Sequence, residues 1–300
     1  MIKDIFIGVD GGGTKSKIRI EDSNGHLLAQ TFAGPANIRV SVETAWHSIY
    51  QGLQEALACV QLSLKDSNTR FHVGLGLAGV EITRACELFL QKPHLFTTLK
   101  LISDAKAACL GAHSGRDGAI IIVGTGIVGY QIEEDHPIKS SGWGFPVDDE
   151  GSGAWLGLEA ARLTCHWLDH RSESSPLTED IFAFFNNDIE QFITWINEAQ
   201  SGEFARLAPI VINHSQQEEL VALRLMKKAA HAVERIGASL AKMSVHKKLL
   251  PCCLCGGIAP FLEPYLNEEL RNNLVPKDAD ANVGAILLVK NSLKMSEKVE

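Results

Sequence analysis

Two glycine turns are the parts of this sequence best suited to holding phosphate. Asp10-Gly11-Gly12-Gly13-Thr14 sets three residues without side chains in a row, so backbone N–H groups stand open to an anion. The Thr14 hydroxyl and the Lys15 ammonium add donors. Asp10 has the opposite sign, and a carboxylate beside phosphate calls for a divalent cation shared by both. The same residues also read as a tight hairpin turn with a capping acid. Gly124-Thr125-Gly126 is the second turn. Extended to Gly129 it matches the G-x-G-x-x-G dinucleotide pattern. That pattern must open a helix, whereas the following YQIEEDHPIK alternates like a strand. No GxxxxGK[ST] phosphate loop occurs. Gly256-Gly257 ends an apolar run and precedes a helix, where a flat group or a sugar can approach the backbone; an ordinary strand-to-helix turn reads the same way.

The carboxylates come next. Asp104 follows an apolar strand and begins a small-residue helix, AKAACLGA. It is either the cap of that helix or a site carboxylate, since α/β sites lie at the carboxyl ends of strands. There it can accept a hydroxyl proton during phosphoryl transfer. The segment SGWGFPVDDEGSG (141–153) combines Asp148, Asp149 and Glu150 with Trp143, Gly144 and Pro146. Three consecutive acids repel one another unless partners or a cation offset them. They read either as acceptors for sugar hydroxyls beside an indole, or as an acidic cap for the helix that follows. Asn37 stands where a turn meets a helix, a usual place for a turn or cap residue. His166 and His170 have the i, i+4 spacing of a metal pair, but Trp167 stands where a metalloprotease needs Glu, so no metal is assigned to them.

The elements that position these residues follow from periodicity. Strands are expected at 4–9, 17–21 and 26–33, forming a meander through the Asn24-Gly25 turn. A helix is expected over 41–62, with Ile49, Leu53, Leu57 and Val60 on its apolar face. Strand 71–79, helix 82–90, strand 97–103 and the helix from Asp104 follow. A second pass begins near Gly118. Strand 119–123, the GTG turn and a further strand repeat the plan of residues 9–20. Helices are expected over 152–170, in pieces over 177–200, and near 216–243. Strand 249–255 runs into Gly256-Gly257 and a helix from Pro260, and a C-terminal helix covers about 280–293. The economical architecture is two similar α/β domains, 1–117 and 118–300, facing each other across a cleft, with the C-terminal helix packing back on the first.

Composition narrows the classes. The chain has 300 residues, net charge −8, 45% hydrophobic and 21% charged residues, long enough for two domains of roughly 150 residues. No apolar run approaches the roughly 20 residues of a membrane span, and the acidic, glycine-rich start does not fit a signal peptide. A pI of about 5.8 and no Lys/Arg cluster argue against nucleic acid as a partner. Seven Cys, an odd count without framework spacing, read as reduced thiols in a cytoplasm. Cys252, Cys253 and Cys255 lie in an apolar run and read as strand interior.

The pieces GVDGGGTKSK, GPANI, HVGLGLAGVE, SDAKAACLGA, IIVGTG, GWGFPVDDEGSGAWLGL, CGGIA and DANVGAI, in this order from Gly8 to Ile286, resemble the BadF/BadG/BcrA/BcrD ATPase family of the actin-like sugar-kinase superfamily. The resemblance is strongest to its bacterial glucosamine and N-acetylglucosamine kinases. It implies two ribonuclease H-like (actin-like ATPase) domains and an ATP- and Mg²⁺-dependent kinase acting on the 6-hydroxyl of an amino sugar. It also implies site roles. Gly11, Gly12, Gly13, Thr14 and Lys15, with Gly124, Thr125 and Gly126, would meet the ATP phosphates. Asp10 would help hold Mg²⁺. Asp104 would be the general base. Asn37, Trp143, Gly144 and Asp149 would contact sugar, and Gly256 and Gly257 would lie on the adenosine side. Ile127-Val128 stand where N-acetylglucosamine kinases like the mammalian one carry Ser-Asn, which turns the resemblance toward glucosamine kinases, and Glu150 replaces an amide seen in those. Family members are often homodimers. Two other activities fit less of the motif set: an ATP-driven activator of an acyl-CoA dehydratase or reductase, which needs thiols for an iron–sulfur cluster, and a non-catalytic sugar sensor.

Overall fold

Residues Ile5 to Val9 are buried without interruption, the pattern of a strand covered on both faces. In this computed structural model, which describes residues 2–296, the elements in chain order are β1 (Lys3–Gly11), β2 (Ser16–Glu21), β3 (Leu27–Ala33), α1 (Val42–Cys59), β4 (Thr69–Leu77), α2 (Thr83–Leu90), β5 (Thr98–Ser103), α3 (Asp104–Ala112), β6 (Gly118–Val123), β7 (Ile127–Glu133), β8 (His136–Ser140), α4 (Gly153–Leu168), α5 (Pro176–Ala183), α6 (Ile189–Glu198), α7 (Ser201–Ala205), α8 (Ala208–Gln216), α9 (Leu220–Met243), β9 (Cys252–Cys255), α10 (Ala259–Leu262), α11 (Glu268–Arg271) and α12 (Ala281–Ser296). Two compact units result. One comprises Met1–Gly118, Glu134–Pro137 and Pro276–Glu300, the other Ala119–Glu133 and Ile138–Val275. Among the described residues, 276–296 group with the first unit.

The first unit is built on a sheet of order β3-β2-β1-β4-β5. β1 runs antiparallel to β2 and parallel to β4, and β4 runs parallel to β5. This is the ribonuclease H-like arrangement. Alternation along β1 sorts its side chains between two layers. Ile5, Ile7 and Val9 join one core with Ile49, Leu53 and Leu57 of α1. Phe6 lies on the other face against Ile286 and Val289 of α12. Gly8 shares that face, and there the helix backbone comes too close for any side chain. A Cβ on Gly8 would stand 1.9 Å from the Asn282 carbonyl oxygen, and one on Gly74 of β4 would stand 2.1 Å from that of Ala285. Gly74→Ala is expected to destabilise this unit by about 3 kcal/mol, since backbone must shift to admit the methyl. A denaturant midpoint within experimental error of the parent would show that α12 can move aside.

The second unit repeats the plan with a sheet of order β8-β7-β6-β9, β6 and β9 being parallel. Its core joins Ile121, Val123 and Ile127 to Leu156, Phe192, Val211 and Val233 of the surrounding helices. Three details depart from the periodicity. The alternation after the GTG turn is a hairpin rather than one strand, turning at Glu134 and Asp135 with φ of 52° and 64°, the left-handed pair that such two-residue turns require. The long helix starts at Leu220 and not near 216, because α8 ends at Gln216, Glu218 takes φ 61°, and the Glu219 carboxylate accepts the Ala222 N–H as cap. α4 stops at Leu168, so His170, at φ 60°, leaves the helix and shares no face with His166.

Candidate functional site

In the first unit the candidates gather at the carboxyl ends of the parallel strands. Asp10 stands opposite Gly76 of β4, and Leu77 stands opposite Ser103 of β5, so β1, β4 and β5 end together and Asp104 follows at once. Asp104 is not the cap of its helix. The Ser103 hydroxyl accepts the Lys106 N–H, and Asp104 is the first helical residue, its Oδ1 accepting the Ala105 N–H at 2.8 Å. Asp10 feels this neighbourhood. Burial first, then the negative charges of Asp104 and Asp280, push its carboxyl up to about 6, against the pull of Lys17 and Lys277. A desolvated carboxylate among like charges gains most from a cation.

The glycines of the turns divide into two sets. Gly11, Gly126 and Gly256 are small because protein fills the space beside them. A Cβ there would meet Leu77 Cδ2 at 2.5 Å, Asp149 Oδ2 at 2.9 Å and the Val123 carbonyl oxygen at 2.1 Å. Gly256 also has φ 101°, which an L side chain rarely adopts. By contrast, a Cβ on Gly13, Gly124 or Gly257 would meet nothing within 4 Å. These three mark open space into which a ligand can bring its own atoms against the backbone. The Gly12 N–H is engaged by the Lys15 carbonyl, which closes the hairpin. Lys15 Nζ lies 5.9 Å from the Phe32 ring centroid, on the same turn as Thr14.

The second unit fixes its GTG turn from behind. The N–H groups of Gly153 and Ala154, at the start of α4, donate to the carbonyls of Gly124 and Thr125 at 2.8 and 3.0 Å. The orphan donors of a helix N-terminus thus hold the turn in place. The cap of α4 is Ser152, whose hydroxyl accepts the Trp155 N–H, so the acids before it are not capping residues. Each has a different partner. Asp148 Oδ2 accepts the Ser141 hydroxyl and the Trp143 N–H, both at 2.9 Å. Asp149, 7% exposed and at φ 68°, accepts the Ile127 N–H at 3.2 Å. Glu150 pairs with Arg235 of α9. Trp143 projects its indole into solvent, 86% exposed, and Gly144 turns the chain beside it at φ 109°. In the first unit, Asn37 is not the cap of α1, which is Ser41. The Asn37 side chain accepts the Arg39 N–H in a local turn.

Sequence reasoning missed the cluster around Asp280. Its Oδ2 accepts Lys17 Nζ at 2.6 Å and its Oδ1 accepts Lys277 Nζ at 2.5 Å, and these two hydrogen bonds, the Lys17 one foremost, hold its carboxyl down at about 2. A signal existed, since Lys17 faces Asp10 across the β1–β2 ladder. The donors present suit a cation that arrives with phosphate. No group of three or more His, Cys, Asp or Glu able to hold a metal occurs among the described residues, and Mg²⁺ characteristically takes one or two carboxylates together with substrate phosphates. Asp10 is the residue that fits it. Cys252 and Cys253 are buried in β9, as strand interior. No helix among the described residues is long and apolar enough to cross a membrane.

The chain is 33% identical to glucosamine kinase GspK of Vibrio cholerae over 282 residues, 94% of each chain. It is 27% identical to an N-acetylmuramic acid/N-acetylglucosamine kinase of Clostridium acetobutylicum, covering 95% of this chain and 98% of that one. A crystal structure from Chromobacterium violaceum, provisionally named an N-acetylglucosamine kinase, superposes with a TM-score of 0.88 at 34% identity over 96% of this chain and 99% of that one. The model of one family matches residues 7–289. The chain belongs to the BadF/BadG/BcrA/BcrD ATPase family.

Proposed function

We propose that this protein is an ATP-dependent hexosamine kinase that phosphorylates the 6-hydroxyl of glucosamine or N-acetylglucosamine. The observation that carries the reading is the pair Asp10 and Asp104. They sit at the ends of parallel strands of one sheet beside an open glycine turn, with Asp104 relieved of capping by Ser103. The names of the relatives, a glucosamine kinase and an N-acetylmuramic acid/N-acetylglucosamine kinase, support the substrate class.

Phosphoryl transfer asks a protein mainly for alignment and charge neutralisation. Asp104 orients the sugar hydroxyl and takes its proton as the sugar oxygen bonds to the γ-phosphorus and the bond from that phosphorus to the β-phosphate oxygen breaks, releasing ADP. In the first unit the backbone at Gly13, with Thr14 and Lys15, offers donors to phosphate, and in the second unit Gly124 and Thr125 do the same. Mg²⁺, held through Asp10 when the nucleotide is bound, supplies neutralisation of the phosphate charge. Gly257 leaves room for the adenosine end beside Gly256. In the second unit Trp143 offers its indole to the apolar face of the sugar, with Gly144 and Asp149 as further sugar contacts; in the first unit Asn37 is the sugar contact. An odd cysteine count without framework spacing and a need for ATP suit a cytoplasmic location.

The test is ADP release with Mg²⁺·ATP and glucosamine, N-acetylglucosamine, N-acetylmannosamine or glucose in turn. The expected result is that one of the first two stimulates release at least about tenfold over the others, a pocket-level discrimination of the usual size. Absence of stimulation by any sugar would overturn the reading and leave a sensor.

A further inference from the structure

The C-terminal motif DANVGAI places Asp280 directly before α12, and the tight packing of Gly8 and Gly74 against that helix brings it toward the end of β1 that carries Asp10. Segment 278–280 is clamped from below. The Asp278 N–H donates to the Ala112 carbonyl and that of Ala279 to the Gly111 carbonyl, at 2.9 and 3.1 Å. A Cβ on Gly111 would stand 2.3 Å from the Asp280 carbonyl oxygen. Asp280 is thus fixed to the end of the helix that Asp104 begins. Its two carboxylate oxygens each receive one ammonium, from Lys17 and Lys277. Lys17 stands directly across the ladder from Asp10. Both ammoniums already act on Asp10 through space, and without Asp280 that carboxylate would draw them.

We infer that Asp280 is a positioning residue for the proposed kinase reaction: it holds Lys17 and Lys277 away from Asp10, so that the Asp10 carboxylate stays available to the cation that accompanies the nucleotide. This rests on the reading of Asp10 as the cation's carboxylate. An ammonium already paired with Asp280 changes little if removed, whereas an ammonium released next to Asp10 competes directly with a divalent ion. The arrangement is therefore asymmetric, which a diffuse field of charges is not.

The experiment is titration of Mn²⁺ into each protein in the presence of ADP, followed by calorimetry, with thermal unfolding of each variant measured alongside. Asp280→Asn is expected to weaken Mn²⁺ binding by about fivefold or more, the size of a partly buried charge interaction, while Lys17→Met alone stays within about twofold. Lys17→Met/Asp280→Asn and Lys277→Met/Asp280→Asn are expected to regain most of the lost affinity, and each double variant leaves one ammonium fewer without its carboxylate, should Asp280→Asn alone fold poorly. Unchanged binding in Asp280→Asn, equal and opposite shifts in the two single variants, or no rescue by either second substitution would overturn the inference. Sugar-stimulated ADP release by the parent protein, measured separately, tests the kinase reading itself. Its absence with the Mn²⁺ pattern intact would remove the reaction but not the role of Asp280.

Discussion

Asp104→Asn is expected to lower kcat by about 10²- to 10⁴-fold, the contribution of a positioned general base, with the KM for sugar and the affinity for Mg²⁺·ATP changed by no more than about threefold. The substitution keeps the shape of the side chain and an oxygen for the Ala105 N–H, so the start of α3 survives. Ser103 caps the helix independently of Asp104, and a stability loss large enough to mimic the kinetic one is not expected. What disappears is the proton acceptor. Losing an interaction made only as the hydroxyl reacts lowers kcat without raising KM. Near-parental turnover would remove Asp104 from the reaction, and a loss confined to sugar KM would reassign it to binding. Calorimetric binding of the nucleotide to the variant separates these outcomes.

Asp10→Asn is expected to remove activity by about 10²-fold or more, the scale of losing cation-mediated charge neutralisation, and at the same time to stabilise the folded chain at neutral pH. The second effect follows from its raised pKa. The carboxyl titrates at about 6 in the folded chain against 3.8 as an ordinary side chain. A carboxyl raised in this way contributes stability that is fully present below about pH 4 and is lost as pH rises through about 6. Its ionised form at pH 8 therefore weakens the fold by at most about 3 kcal/mol, at about 1.4 kcal/mol for each tenfold change in proton affinity. The asparagine variant escapes that loss. Denaturant midpoints should coincide near pH 3.5 and favour the variant by pH 8. Parallel profiles across that range would show that Asp10 ionises without cost, and that the surrounding lysines already compensate it.

Much of the site was legible because it is written in short segments. A glycine triplet after an apolar run, a GTG in the same place of a repeat, and an aspartate at a strand end are local patterns, and both sheets follow from them. The parts that escaped depend on distance or on a one-residue offset. Lys17 and Asp280 are separated by 263 positions, and no periodicity links them. Ser103 and Ser152 each take the capping duty that the neighbouring acids offered to perform, and a cap moved by one residue changes an acid from helix stabiliser to site carboxylate. The partners of Asp148, Asp149 and Glu150 lie on different segments of the chain, so their mutual repulsion was visible in sequence while its relief was not. The role of the open glycines needed coordinates as well, because Gly11 and Gly13 look alike until the space beside each is known.

The dependence of the first sheet on α12 also bears on how the chain is made. Translation proceeds at about 5–20 residues per second, so roughly ten seconds or more separate the emergence of Gly74 from that of Ala285. Over that interval the face of β1 and β4 that bears Gly8 and Gly74 has no helix to cover it, although the last strand of its sheet is complete once Ser103 has been added. The first unit is therefore completed only after the second, which ends at Val275, has been synthesised, and the carboxylate that holds Lys17 emerges after it.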